Sequence, residues 1–223
     1  MSRFTSQFHK FFTALEKNNN REWFHKNKTL FKDEVEAPFH HFIGELMHYL
    51  ENKGETFNKT STKDYVYRIY RDVRFSKDKS PYKVQMSAIL SPEGRKSDVP
   101  LGLYLEANHD KFHIYEGLFR PSKSILYNVR NAIAQNIEQF EEILNHPKLT
   151  ATFSPLLGDK NKRLPKEFQE AALRTPLLYF KSYYIRAELS SDLLLMDNLP
   201  EIVWQYHKIA KPFTAFLNKA LSD

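Results

Sequence analysis

The chain has no cysteine among its 223 residues. That excludes disulfides, cysteine–zinc sites and thiol catalysis. Its N-terminus, M-S-R-F-T-S-Q-F-H-K-F-F, lacks the apolar core of a signal peptide. No apolar run approaches the roughly 18 residues that a membrane-spanning helix needs. The expectation is a cytoplasmic protein with no membrane partner. The nine histidines are scattered, with only His40–His41 and His109 with His113 close in sequence. No H-E-x-x-H or comparable ligand spacing occurs, so neither a metal nor another cofactor is expected. Repeats, low-complexity tracts and an obvious linker are also missing, which points to one domain over residues 1–223.

What is present is apolar and aromatic. Hydrophobic residues make up 41% and charged residues 27%, enough for a sizeable core and against global disorder. Eighteen Phe and twelve Tyr require that many rings be buried and that tyrosine hydroxyls find partners. The formal charge is +6. Residues 59–83 hold eight basic groups against three acids, so most of the surplus sits in one segment. Within it, 68–83 reads R-I-Y-R-D-V-R-F-S-K-D-K-S-P-Y-K, six cations around Asp72 and Asp78. Charge gathered so locally favours an anion site over a uniform nucleic-acid coat, although a basic patch is also the footprint of nucleic-acid binding.

Apolar residues at helical spacing predict a helix over 4–17. Asn20 is placed to cap the next one, and Pro38 interrupts or restarts a helix that runs to Lys53-Gly54. Residues 66–75 alternate. Tyr67, Ile69, Arg71, Val73 and Phe75 predict a buried side of a strand, with Arg68, Tyr70, Asp72 and Arg74 on the other. Further strands are expected over 84–90, 101–107 and 111–119, the last two joined by Asn108-His109-Asp110, and 177–189 is read as a last strand or as partly helical. Helices are expected over 123–134, 137–144 and 165–173 and from Pro200 onward, with 150–163 irregular. Helices, then strands, then helices predict an α+β fold, a mainly antiparallel sheet with N-terminal and C-terminal helices packed on it.

Three segments carry a resemblance: Phe12, Leu15, Asn18 and Asn19 (F-x-x-L-x-x-N-N), Arg21 to Phe24 (R-E-W-F), and R-I-x-R-D-x-R-F-S-K-D-K-x-P-Y-K over 68–83. Together they resemble the DUF2461 family of bacterial and fungal proteins, over nearly the whole chain. Leu164 to Phe168 (L-P-K-E-F) and the region of Lys181 are also similar to it. The family's G-G-G-x-x-x-P element keeps only Gly117 and Pro121 here, so the resemblance does not bring a Gly-rich phosphate cradle to this chain. It implies a shared fold and no particular activity.

Arg71 is the most diagnostic residue on the expected apolar side, because a buried guanidinium must meet a carboxylate or a bound anion. One partner would be an internal acid such as Glu188. The other would be a ligand phosphate or carboxylate gripped by the guanidinium fork. Asp72, flanked by Arg68 and Arg74, is read as orienting them rather than as a base, since two arginines lower its pKa. Ser76–Lys79 and Ser80–Lys83 both fit S-x-x-K, but no K-[ST]-G follows, which argues against serine acyl transfer. Tyr104, Tyr115, Tyr183 and Tyr184, beside arginines, would suit a nucleotide or equally ordinary sheet packing. The leading expectation is an anionic small molecule bound on the sheet by Arg68, Arg71, Asp72, Arg74, Ser76, Lys77, Lys79, Tyr82 and Lys83. The alternatives are a nucleic-acid-binding module and an interaction protein whose Arg–Asp network is architectural. Whether a reaction follows binding stays open at this stage.

Overall fold

In a computed structural model that describes residues 4–222, the N-terminal part of the chain is helical. Helix α1 (Ser6–Lys17) begins at Thr5, whose hydroxyl accepts the Gln7 N–H, and buries Phe8, Phe11, Phe12 and Leu15 along one face. Asn20 caps α2 (Arg21–Lys26) by accepting the Trp23 N–H at 2.9 Å. Helix α3 (Lys28–Phe31), a π-helical turn over Lys32–Glu36 and α4 (Ala37–Glu51) follow without a break. Pro38 has no N–H for the helical ladder, and the wide turn directly before it absorbs that gap. Phe4, Phe8 and Phe12 meet edge-on at 5.0 Å between successive centroids, and Phe42 joins Phe112 the same way at 6.3 Å. Each fully buried ring contributes about 1.5–3 kcal/mol through the area it removes from water.

Five strands, β1 (Val66–Tyr67), β2 (Met86–Leu90), β3 (Leu101–Ala107), β4 (Lys111–Leu118) and β5 (Tyr183–Ser190), form one antiparallel sheet in sequence order. Val66 lies opposite Ala88 and Tyr67 opposite Ser87. The β3–β4 turn is fixed by Asn108, whose side-chain oxygen accepts from the Asp110 and Lys111 N–H groups at 2.8 and 2.7 Å. Alternation along β3 and β4 buries Leu103, Leu105, Ala107, Phe112 and Ile114 and leaves Tyr104, Glu106 and His113 half-buried. Helices α5 (Lys123–Gln135), α6 (Ile137–Leu144) and α7 (Pro147–Thr152) fall between β4 and β5, and α8 (Leu199–Ser222) ends the chain. The α+β class with a mainly antiparallel sheet and helices at both ends is therefore what the structure has.

Several expected bounds change. The strand expected over 66–75 stops at Tyr67, and Phe75, expected on its buried side, is 95% exposed. The alternation there had no neighbouring strand to pack against beyond Tyr67. The helix expected over 165–173 is a pair of 3₁₀ turns, Lys166–Phe168 and Ala171–Leu173. The segment 177–189 is helical at its start and a strand after it: the 3₁₀ turn Pro176–Tyr179 is opened by Pro176 and capped by Thr175, whose side chain accepts the Leu177 N–H.

The chain divides into two compact units. The first takes the residues up to Lys96, Tyr104–His113 and Glu188–Trp204; the second takes Ser97–Leu103, Ile114–Ala187 and the residues from Gln205 on. The boundary runs through β3, β4, β5 and α8 rather than at a linker. In the second unit, Phe140 of α6 packs on Tyr183, Phe213 and Phe216 at 6.3, 6.1 and 4.7 Å. The fully buried Glu116 carboxylate meets His207 Nδ1 at 2.7 Å. Gly117 stands at φ 127°, and a Cβ there would come within 2.2 Å of the Tyr183 carbonyl oxygen, so only glycine fits.

Candidate functional site

In the first unit, residues 68–83 leave the sheet edge and fold back on themselves as a finger. Tyr70 bridges Tyr82, the Arg71 N–H donates to the Pro81 carbonyl at 2.9 Å, and the Lys83 N–H donates to Ile69 at 2.7 Å. Arg71 pairs with Asp78, seven residues on, rather than with Glu188. Glu188 instead meets Lys111 at 3.2 Å and His113 at 3.1 Å. Arg74 grips Asp72 in a fork, Nε to Oδ1 at 3.0 Å and Nη2 to Oδ2 at 2.7 Å. Those contacts hold the Asp72 carboxyl down at about 2. Asp78 is lowered too, first by Ser80 and then by Arg71. Lys79 Nζ donates to the Val73 carbonyl at 3.0 Å and closes the tip. Arg68 and Lys77 are exposed, and Ser76 is half-buried with its N–H on the Val73 carbonyl at 3.3 Å.

The base of the finger is held by side chains from the N-terminal helices. The Asn19 amide donates to the Tyr82 carbonyl at 2.9 Å and accepts the Tyr82 N–H at 3.1 Å, as a neighbouring strand would. The Tyr82 ring stacks on Phe24 of α2 at 4.0 Å and 15°. Tyr82 is 5% exposed and burial raises its hydroxyl pKa, which makes it a packing residue before a ligand donor. Lys83 is half-buried, its ammonium 5.2 Å from the Tyr67 ring centroid. Desolvation lowers its pKa, Glu106 opposes that and Arg68 adds to it.

Four of the expected site residues, Arg71, Asp72, Tyr82 and Lys83, line one cleft of about 490 Å³, joined there by Asp78 and Glu16. Arg68, Arg74, Ser76, Lys77 and Lys79 do not line it. The cleft wall thus carries three carboxylates and two cations. Two of those acids, Asp72 and Asp78, are lowered in pKa by their partners Arg74, Ser80 and Arg71.

The second unit holds a larger cavity of about 1190 Å³. Its wall carries Arg120, Lys123, Arg130, Arg163 and Lys181, with Asp159 as the one acid on it. Arg130 of α5 is 5% exposed. Its Nε donates to the Leu178 carbonyl at 2.8 Å and its Nη2 to the Phe180 carbonyl at 3.1 Å. These dipoles orient the guanidinium, and no carboxylate pairs with it among the described residues. Arg130, rather than Arg71, is thus the buried cation without an acid, and such a charge is costly until dipoles or an anion meet it. Arg120 lies at φ 50°, a conformation that costs a residue other than glycine about 1–3 kcal/mol. It is held there by its N–H donating to Ser182 Oγ at 2.9 Å. Gly158 at φ 132° lets Leu157 donate to the Tyr184 carbonyl at 2.8 Å; a Cβ would lie 2.7 Å from the Ser182 carbonyl oxygen.

A family model described as a conserved hypothetical protein, DUF2461, matches residues 7–216. The chain belongs to this family. No curated protein matches it. In this DUF2461 member, the three segments that carried the resemblance meet at the finger base, where Asn19 and Phe24 both hold Tyr82. Asn19, Phe24 and Tyr82 of those segments thus hold the foot of one hairpin-like excursion.

The cavity of the DUF2461 chain was not anticipated from its sequence. Its cations come from five places between 120 and 181, none of them a cluster in the chain. One signal was available: residues 117–137 contain Arg120, Lys123 and Arg130 and no acid at all. Among the described residues, no group of three or more histidines and carboxylates is placed to hold a metal, and no helix is long and apolar enough to cross a membrane.

Proposed function

We propose that this DUF2461 member binds a small anionic ligand, bearing phosphate or carboxylate, in the basic cavity of its second unit. The observation that carries the reading is Arg130, a buried guanidinium without a carboxylate, on a wall with four further cations and one acid. Cations outnumber acids there, whereas acids outnumber cations in the finger cleft. Arg130 Nε and Nη2 already donate to carbonyls, so its guanidinium contributes a fixed positive charge to the wall, and Arg163 and Lys181 supply further charge from irregular segments. Thermal-shift titration with sodium pyrophosphate tests this, since a ligand bound only by the folded state raises Tm with concentration. A rise in wild type that is lost in Lys181→Ala supports the reading; a flat response in wild type refutes it.

A second reading rests on the finger. Phe75 is 95% exposed at its tip, flanked by exposed Arg74, Lys77 and Lys79, a combination that fits stacking on a single-stranded nucleic acid. It requires that binding of a labelled oligonucleotide fall steeply with salt and weaken in Phe75→Ala. Absence of binding at low salt removes it.

A further inference from the structure

We infer that the ligand of the basic cavity is a phosphorylated planar ring, in the chemical class of the nucleoside monophosphates. The inference rests on the anion-binding reading above and adds what occupies the rest of the cavity. A volume of about 1190 Å³ is far more than an inorganic anion fills; cavities of roughly 300–1,000 Å³ take whole organic ligands. The walls that are not cationic are aromatic. Phe119 and Tyr127 line the cavity yet are 50% and 48% exposed. Each is braced edge-on by a second lining ring, Phe119 by Tyr184 at 5.4 Å and Tyr127 by Phe168 at 5.3 Å. Rings braced in this way keep exposed surface in the cavity that a planar heterocycle would cover.

The charged and aromatic parts adjoin. The Arg120 guanidinium lies over the Phe119 ring, 5.1 Å from its centroid, so a phosphate held by Arg120 would sit beside a stacking surface. Lys123, the first residue of α5, adds a cation to the same wall. Asn161 also lines the cavity, and its side-chain amide, with one acceptor and two donors, is suited to the edge of a base.

Isothermal titration of the full chain separates the two levels of the argument. The probes are sodium pyrophosphate, the four ribonucleoside 5′-monophosphates one at a time, and adenosine. At least one monophosphate is expected to bind roughly tenfold or more tighter than pyrophosphate, the gain that one stacked base supplies. Tyr127→Ala should remove that gain while leaving pyrophosphate affinity unchanged, which also shows that the variant is folded; Phe119→Ala, which also withdraws the ring under Arg120, should weaken both classes of probe. Arg163→Ala should weaken both classes of probe. Pyrophosphate binding as tightly as every monophosphate, or adenosine binding as tightly as its monophosphate, overturns the nucleotide inference while the anion reading stands. No binding of pyrophosphate or of any monophosphate overturns the anion reading itself.

Discussion

Asn19 holds both backbone polar groups of Tyr82, giving its Nδ2 proton to the carbonyl at 2.9 Å and taking the N–H on Oδ1 at 3.1 Å. One amide side chain thus replaces a whole strand residue at the foot of the finger. Asn19→Ala leaves a donor and an acceptor without partners beside a buried ring, and should cost about 2–3 kcal/mol in urea unfolding. Asn18→Ala, which loses an amide contact to Ala14 at the end of α1, should cost less. Equal losses in the two variants would mean that the clamp is not special.

Arg71 is spoken for by Asp78 within its own finger. An exposed pair of this kind contributes little, so Arg71→Ala should lower Tm by less than about 3 °C. It should also leave pyrophosphate binding unchanged, because Arg71 belongs to the other unit's cleft. Loss of binding in this variant would return the site to the finger.

Gly117 is required twice over, by its positive φ and by the Tyr183 carbonyl against it. The nearest obstacles, the Tyr183 carbonyl oxygen and Tyr184 Cα, are backbone atoms that cannot swing away to admit a methyl group. Gly117→Ala should destabilise the protein by more than about 3 kcal/mol or prevent folding. A soluble variant with wild-type Tm would contradict the close approach of the Tyr183 carbonyl to Gly117.

His40 supplies a pH dependence. Its Nδ1 lies 2.8 Å from Thr62 Oγ1, and burial lowers its pKa from 6.5, Glu36 opposing the shift and Lys63 adding to it. The folded state therefore binds this proton less readily than the unfolded one. The stability is present above pH 6.5 and is lost as the pH falls through the lowered folded value. Urea midpoints at pH 7.5 and pH 5.5 should differ less in His40→Gln than in wild type. An unchanged difference would show that other groups carry the dependence.

The sequence led correctly to α1, the Asn20 cap, the Asn108 turn and the α+β order, because each is set by local spacing or by one residue's own chemistry. It misled at residues 68–75, where alternation was read as a strand. A period of two describes the pleat, but burial needs a neighbour, and beyond Tyr67 the nearest backbone is the finger's own returning arm. The alternation does separate a sheltered side, with Ile69 buried and Arg71 half-buried, from exposed Arg68, Tyr70, Asp72 and Arg74, but the acid that Arg71 meets is Asp78 of the same finger. The cavity escaped notice for another reason. Its five cations are dispersed in sequence and become a site only when α5, the segment around Arg163 and the approach to β5 converge. Arg130 in particular looked like one more polar position of an amphipathic helix, and only its burial marks it out.

The most direct test of the central claim is calorimetric titration of pyrophosphate into wild type, Arg163→Ala/Lys181→Ala and Arg71→Ala. Charge-assisted hydrogen bonds are worth roughly 1.5–3 kcal/mol each, so the double variant should bind at least about tenfold more weakly, while Arg71→Ala matches wild type. Wild-type affinity in the double variant, with binding abolished in Arg71→Ala, would contradict the account.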